Sequence, residues 1–251
     1  MIKLFNKPRR KALAESRLGK YLVYAIGEIL LVVVGILIAL QINTSRQEYN
    51  QNQKTRTYLI SLNTEIQLNI SRLNSKLEAI QEDIENSAKD LEALNSPEAF
   101  KFDELKIRSI MDGTRPIYGV VLSTSTFEDL INSGVLEYLH DEKLKHDILK
   151  IGSHVNFIDE NSIDAQHVWD EYQQPYLMKY SAVATNWDSL NGVKISKTKF
   201  TRDKEAFIQN RDYSNILALR MRMQTNYFET CDDIKKILEK YSVAINAYLN
   251  Q

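Results

Sequence analysis

The feature that most constrains how this chain can fold is an apolar stretch near its start, residues 21–42, with the sequence YLVYAIGEILLVVVGILIALQI. At about 1.5 Å of rise per helical residue, a helix of this length matches the roughly 30 Å hydrocarbon core of a bilayer. A cleaved secretory signal would be shorter and would end in a small-x-small site, and no good Ala-x-Ala site appears before Arg46. The stretch is therefore predicted to be an uncleaved transmembrane helix, with a cleaved signal or a buried soluble helix as the alternatives.

Charged residues flank this stretch unevenly. The segment before it, residues 1–20, carries a single acid, Glu15, against seven basic residues. The basic residues are Lys3, Lys7, Arg9, Arg10, Lys11, Arg17 and Lys20. By the positive-inside rule, residues 1–20 form a basic cytoplasmic tail. The remainder, from about Asn43 onward, is then expected in the periplasm of a bacterium, anchored to the inner membrane.

The remainder of the chain is acidic. Taking the seven basic residues and one acid of the tail from totals of 32 and 33 leaves 25 against 32, a formal charge of −7. Phosphate binding requires a basic surface, so no nucleic-acid partner is expected. The single cysteine, Cys231, excludes an intrachain disulfide. A buried free thiol in a helix is expected there, and an intermolecular bridge is the alternative.

The composition favours an all-α fold, because only 8 Gly and 4 Pro occur among 251 residues. The clearest periodicity lies in residues 43–95, where apolar residues recur mostly at spacings of three and four. The stripe comprises Leu59, Leu62, Ile66, Ile70, Leu73, Leu77, Ile80, Ile84, Leu91 and Leu94, with Ser87 as a polar interruption. It predicts a long stalk or coiled-coil-like helix that can continue from the membrane span and that ends at Ser96-Pro97. Such a stripe can pack within the chain or between chains.

Residues 96–251 are predicted to supply the remaining helices of an antiparallel bundle. One helix begins near Pro97 and is followed by the loop TRPIYGVVL. A long helix begins after Asp141, its expected cap, and is interrupted at Pro175. The closing helix begins at about Tyr213, and its broad apolar stripe suits packing against several helices.

Two short patterns have local explanations. In STSTFEDLINSG, Ser125 and Glu128 have the spacing of a capping box, and Gly134 supplies a left-handed stop. Binding of an anion by the hydroxyl run is the alternative for this helix start. In NWDSLNGVKIS, Asn191-Gly192 between short alternating segments predicts a small β-hairpin, with a plain loop as the alternative.

Several of these stretches together carry a family resemblance. Gly19-Lys20-Tyr21, the segment YAIGEILLVVVGILIALQIN and the later STFEDLINSGVLEYL resemble an uncharacterised family of bacterial single-span inner-membrane proteins of about this length. The membrane motif is the specific part, and the distal helices carry much less of the likeness. The resemblance implies the topology and no activity, and it makes Glu28 the counterpart of a glutamate that recurs in the span.

No catalytic constellation is recognisable in the chain. A di-metal carboxylate bundle needs two Glu-x-x-His pairs and two further inward acids. The nearest approximations, Asp164 with His167 and Glu142 with His146, are expected on solvated faces. No Gly-rich phosphate loop, CxxC, HExxH or nucleophile elbow appears. The protein is therefore predicted to be non-enzymatic, with no catalytic, cofactor-binding or metal-ligating residues.

Aromatic side chains gather around Pro175. They are Trp169, Tyr172, Tyr176 and Tyr180, which could line an aromatic ligand pocket. Aromatic residues at helical spacing also pack into protein cores, and that is the competing interpretation.

Glu28 is the single charged residue within the apolar stretch. It lies roughly 10 Å along the helix, where a charged side chain costs up to about 3 kcal/mol. The carboxyl can be protonated, or it can reach headgroup water and the basic tail. Alternatively, it joins Gly27, Gly35 and Ala39 in a strip that allows close helix–helix packing. A third interpretation makes Glu28 a proton relay.

Three functions of different class follow from these features. The leading one is a non-enzymatic scaffold or accessory subunit of a membrane complex, which forms a homo-oligomer or binds another membrane protein. The second is a ligand-sensing periplasmic domain that signals through a partner. The third is a proton-coupled transducer subunit that uses Glu28, by analogy of layout with small subunits of proton-driven complexes.

Overall fold

The structure, a computed structural model, describes residues 17–112, 116, 118–182, 189–196, 198–208 and 210–250. Over these residues the fold is all-α with one two-stranded antiparallel hairpin, as the sequence predicts. In chain order the elements are α1 (Arg17–Leu94), a 3-10 turn (Ala99–Lys101), α2 (Glu104–Asp112), α3 (Ser125–Asn132), a second 3-10 turn (Val135–Tyr138), α4 (Glu142–Leu149), α5 (Ile151–Val168), a π turn (Trp169–Gln173), α6 (Gln174–Tyr180), β1 (Ser189–Leu190), β2 (Val193–Lys194) and α7 (Arg211–Leu249).

Helix α1 runs without a break from the apolar stretch into the predicted stalk and has 78 residues. The chain divides into two compact units, Met1–Thr55 and Arg56–Gln251. The later part of the predicted stalk helix thus belongs to the bundle. The first 16 residues of the predicted basic tail lie outside the described residues.

In the first unit, the apolar residues 21–42 form a helix whose side chains are all exposed. This helix is long and apolar enough to cross a membrane, and none of its most apolar part is buried. The N-terminal helix therefore fits a single transmembrane span.

In the second unit, the apolar stripe of α1 packs against α7 and the helices between them, so the stripe is used within the chain. We call this cluster the first core. Its buried members from α1 are Leu59, Leu62, Ile66, Ile70, Leu73, Leu77 and Ile80, and those from α7 are Tyr227, Cys231, Ile234, Leu238, Tyr241 and Ile245. Burial of each large aliphatic side chain contributes about 1.5–3 kcal/mol, so packing rather than crosslinking holds this domain together.

Polar contacts along the first core give the direction of the two long helices. The amide of Asn63 donates to Asn246 at 3.0 Å, and that of Gln67 donates to Ser242 at 2.7 Å. Residue numbers thus rise along α1 as they fall along α7. The predicted antiparallel arrangement is confirmed for these helices.

A second core lies elsewhere in the same unit. Its buried members are Leu94, Ile107, Ile110, Met111, Leu177, Ala206, Phe207, Tyr213 and Leu217. It therefore gathers the end of α1, helices α2 and α6, the segment before α7, and the first turns of α7. Residues 198–208 contribute to this core although they form no regular element.

The helix predicted after Pro97 is divided in the structure. A 3-10 turn, Ala99–Lys101, is followed by Phe102 in an extended conformation, and α2 starts at Glu104. The side chain of Asp103 accepts a hydrogen bond from the amide of Lys106 at 2.8 Å. Asp103 thus caps a new helix instead of continuing the old one. Gly113, next to the predicted end, lies outside the described residues.

The long helix predicted after Asp141 also differs in detail. Asp141 is the cap, as predicted, because its carboxylate accepts from the amide of Leu144 at 2.9 Å. The helix breaks at Lys150 and then continues past Pro175, where the sequence predicts an interruption. The π turn before Pro175 accounts for this continuation: the amide of Gln174 bonds to the carbonyl of Trp169, and proline, at the start of α6, needs no such bond.

Two turn predictions are confirmed by backbone geometry. Gly134 lies two residues after the end of α3 and has φ 70°, so the helix is followed by a residue in the left-handed conformation. Asn191 and Gly192 have φ 48° and 82° between the paired strands, as a type I′ hairpin requires.

Candidate functional site

The strip proposed from the sequence lies on an exposed face of α1 in the first unit. Gly27, Glu28, Gly35 and Ala39 are all exposed. A Cβ added at Gly27 or Gly35 would meet no atom within 4 Å, so backbone is accessible at both positions. Small residues of this kind let a second helix approach closely.

The Glu28 side chain has apolar neighbours along its helix. It lines a shallow groove with Ala25, Ile29, Val32 and Val33. Among the described residues its carboxylate forms no hydrogen bond or ion pair. A carboxyl group on a helix that fits a membrane span is expected to need a polar partner, because hydrocarbon offers it neither water nor counter-ions.

The four aromatic residues around Pro175 are placed differently from one another. Trp169, Tyr176 and Tyr180 pack against the second core, whereas Tyr172 is 51% exposed. The Tyr176 ring lies 4.6 Å from that of Tyr180 between centroids, and its hydroxyl donates to the carbonyl of Ala206 at 2.5 Å. The structure therefore uses three of the four in packing, and a ligand pocket among them stays a prediction.

The candidate acid–histidine pairs are on the surface. Asp164, His167, Glu142 and His146 are all exposed. In the part of the chain that the structure describes, no group of three or more His, Cys, Asp or Glu side chains is arranged to hold a metal ion. The thiol of Cys231 is free and buried, as predicted, and burial raises its pKa to about 11.

A clamp that sequence reasoning missed joins α1 to the segment before α3, which forms no regular element. We call residues 118–124 the strap. Asn69 exchanges two hydrogen bonds of 2.8 Å with the backbone of Ser123. Arg72 donates to the carbonyl of Val121 at 3.0 Å, and Lys76 donates to that of Tyr118. The spacing of Asn69, Arg72 and Lys76 places them on one face of α1, which is the sequence signal that could have identified the clamp.

The clamp continues at the start of α3, where the structure corrects the predicted capping box. The N-cap is Thr124, whose side chain makes no capping bond, and the hydroxyl of Thr124 instead donates to Glu128. The carboxylate of Glu65 caps the helix. It accepts from the amides of Thr126 at 2.9 Å and Phe127 at 3.2 Å. The helix start that could have taken a bound anion is thus occupied by the chain's own carboxylate.

A second missed group is a buried guanidinium between the two cores. Arg220 has 1% of its surface exposed, and it donates to Gln173 at 3.2 Å and to Asp83 at 3.5 Å. Burial lowers its pKa, and the charge of Asp83 opposes that shift. The sequence signal was an arginine at a position of α7 that continues the spacing of its apolar stripe, with the neighbouring Arg222 to obscure it.

Comparison with known proteins adds no relative: no family model matches the sequence, and neither the curated proteins nor the solved structures give a match. The resemblance drawn from the membrane motif and the STFEDLINSGVLEYL segment stays a prediction.

Proposed function

We propose that the protein is a non-enzymatic single-pass membrane protein that presents its helical bundle in the periplasm, as a scaffold or accessory subunit of a membrane complex. The observation that carries the proposal is the helix of residues 21–42, which is apolar and wholly exposed while the bundle forms its own compact unit. An exposed apolar helix of this length is unstable in water and stable in a bilayer.

The strip on this helix supports association within the membrane. Close packing of helix backbones needs small residues, and Gly27, Gly35 and Ala39 supply them. Glu28 beside them gives a polar contact that hydrocarbon cannot provide. A second copy of the chain can bring the same residues to the interface.

Assembly is tested on the full-length protein, purified from its own membranes in mild detergent, with stoichiometry and copurifying proteins measured. We expect a complex that Gly35→Leu dissociates, because added bulk separates the helices. Ile26→Phe is the matched control, since it adds bulk on the opposite side of the helix at 3.6 residues per turn. A monomer without any partner, in native and variant proteins alike, would contradict the proposal.

Topology is tested separately by thiol labelling of intact cells with a membrane-impermeant maleimide. Native protein is the control, because its one thiol, Cys231, is buried. Glu48→Cys, at an exposed position after the span, is expected to react. Asn6→Cys is expected to react only when the cells have been permeabilised. The reverse pattern would place the bundle in the cytoplasm.

The Glu28 carboxylate has no partner among the described residues, which favours one alternative, a proton-coupled subunit paired with a multispan protein. Glu28→Gln distinguishes it. A multispan partner that copurifies with native and Glu28→Gln protein supports the transducer or the accessory subunit, and loss of function in the variant while this assembly survives supports the transducer. If only a homo-oligomer is found and Glu28→Gln weakens it, Glu28 is a residue of the helix–helix interface. Ligand sensing by the bundle remains the third proposal, and saturable thermal stabilisation by a small molecule would support it.

A further inference from the structure

Three helical segments of the bundle pass from the first core to the second core, and each has polar residues at the crossing, all of them buried except the half-exposed Asp83. On α1, Asp83 and Ser87 lie between Ile80 and Leu94. On α7, Arg220 and Gln224 lie between Leu217 and Tyr227. The segment from α5 to α6 contributes Gln173 from the π turn, between Ala165 and Leu177. We call Asp83, Gln173, Arg220 and Gln224 the polar layer.

The polar layer is linked by few and long hydrogen bonds. Arg220 reaches Gln173 at 3.2 Å and Asp83 at 3.5 Å, and the amide of Gln224 reaches Asp83 at 3.2 Å. The Asp83 side chain is 39% exposed, whereas that of Arg220 is 1% exposed. The buried cation is therefore paired, at the limit of hydrogen-bond distance, with a carboxylate that also faces solvent.

Three buried atoms of the layer have no hydrogen-bond partner among the described residues: Nε2 of Gln173, Nε of Arg220 and Oε1 of Gln224. Exchanging the amide oxygen and nitrogen does not help, because Gln173 must present its oxygen to Arg220 and Gln224 must present its nitrogen to Asp83. A buried polar network with unpaired atoms stabilises the folded state less than apolar packing does. The layer is thus the weakest cross-section between two well-packed cores.

The π turn lies at this cross-section. Trp169–Gln173 inserts an extra residue into the helix and turns Gln173 fully inward. Its i→i−5 bonding departs from the regular α-helical register, and such turns occur frequently at functional sites.

We propose that the polar layer is a hinge, at which the second core opens by cooperative local unfolding while the first core remains folded. The segments that open together are residues 104–112, 174–180 and 211–217. The segments that stay closed are residues 142–149, 151–165 and 227–249. Opening exposes the aromatic side chains packed on the second core, so the hinge governs access to that face.

The test is amide hydrogen exchange of the full-length protein in detergent, followed by mass spectrometry of its peptides. Native protein is expected to show the three opening segments exchanging at one common rate, about tenfold or more faster than the closed segments. Arg220→Met with Gln173→Met replaces the buried polar contacts by apolar packing of similar size. This double variant is expected to slow the opening segments toward the rate of the first core.

Met111→Leu is the matched control, a volume-conserving change inside the second core, and it should leave the rate difference intact. If the double variant does not fold, Gln224→Met is judged by the same criterion. Equal rates across the two cores of the native protein would overturn the proposal. So would a rate difference that persists unchanged in the folded layer variant.

Discussion

At the scale of single residues, Glu65 shows how a buried carboxylate can stabilise this fold. Burial opposes its ionisation, but hydrogen bonds from the amides of Thr126 and Phe127 and from two serine hydroxyls outweigh burial and lower its pKa. The folded state therefore favours the ionised form more than the unfolded chain does. The resulting stability is present above the ordinary pKa of 4.5 and is lost as the pH falls through the lowered folded-state pKa.

Glu65→Gln is expected to lower the free energy of unfolding by about 2 kcal/mol at pH 7, because charge-assisted bonds to the start of α3 are lost. Urea denaturation of the full-length protein in detergent measures this difference, which should shrink in acid as native Glu65 becomes protonated. Thr124→Ala is the control, since its bond to Glu128 is exposed, and a change within about 0.5 kcal/mol is expected. Equal stability of native and Glu65→Gln protein at pH 7 would refute the cap.

At Asp90 the pKa shifts in the opposite direction from that of Glu65. Burial raises its pKa to about 6 from 3.8, although the charge of Lys106 opposes the shift. The unfolded chain releases this proton at lower pH than the folded protein does. Stability therefore falls as the pH rises between 3.8 and about 6, and the full cost is present above that window.

Asp90→Asn is accordingly expected to stabilise the protein by about 1 kcal/mol at pH 7.5, a figure reduced because solvent screens a partly exposed carboxyl. Near pH 3.5 the variant and native protein should be equally stable. Denaturation midpoints at the two pH values measure the effect, with the exposed Glu92→Gln as the control. A stabilisation that is the same at both pH values would show that the charge of Asp90 is not its cause.

At the scale of elements, the strap depends on the absence of a side chain at Gly119. A Cβ added there would lie 2.7 Å from Oγ and 3.0 Å from Cβ of Ser162 on α5. The strap backbone is also fixed at the next residue, where the amide of Val120 donates to the hydroxyl of Tyr227 at 2.8 Å. The strap therefore has little freedom to move away from α5.

Gly119→Ala is expected to destabilise the protein by about 1–3 kcal/mol through overpacking. Combining it with Ser162→Gly should cost less than the sum of the two single changes, because the clash is then removed. Ser153→Gly, at an exposed position of α5, measures the cost of a helix glycine alone, about 1 kcal/mol. Additive effects of Gly119→Ala and Ser162→Gly in denaturation experiments would contradict the contact.

The elements that could be predicted from sequence are those whose signals are local. The stripe from Leu59 to Leu94 and the Asn191-Gly192 turn predict α1 and the hairpin, because periodicity and left-handed turn geometry involve neighbouring residues. The cap from Glu65 acts over 61 positions, so no local pattern reveals it. The π turn similarly reflects a compromise between Pro175 and the packing of both flanking segments. The Glu28 strip could be predicted because a single carboxylate stands out in an apolar stretch. The burial of Arg220 could not, because α7 contains other charged residues, among them Arg222 two positions on.

At the scale of the whole molecule, both hydrophobic cores belong to one of the two units of the chain. Both hydrophobic cores draw their buried residues from Arg56–Gln251. Even the carbonyl of Leu249, near the end of α7, receives a hydrogen bond from Arg56, at the boundary of that unit. The exposed apolar side chains of residues 21–42 contribute nothing to either core, and in water they would favour aggregation.

A fragment comprising residues 56–251 is therefore expected to fold in aqueous buffer without detergent and to unfold cooperatively. Cys231 provides an internal reporter, because its thiol is fully buried and its pKa is raised to about 11 by burial. Thiolate concentration and access both limit alkylation, so labelling of the native fragment at pH 7.5 should be slower by a factor of at least about a hundred than labelling in denaturant. Labelling should accelerate only through the unfolding transition that circular dichroism reports. Rapid labelling of the fragment, together with slow labelling of the full-length protein in detergent, would show that the membrane helix is needed to complete the fold.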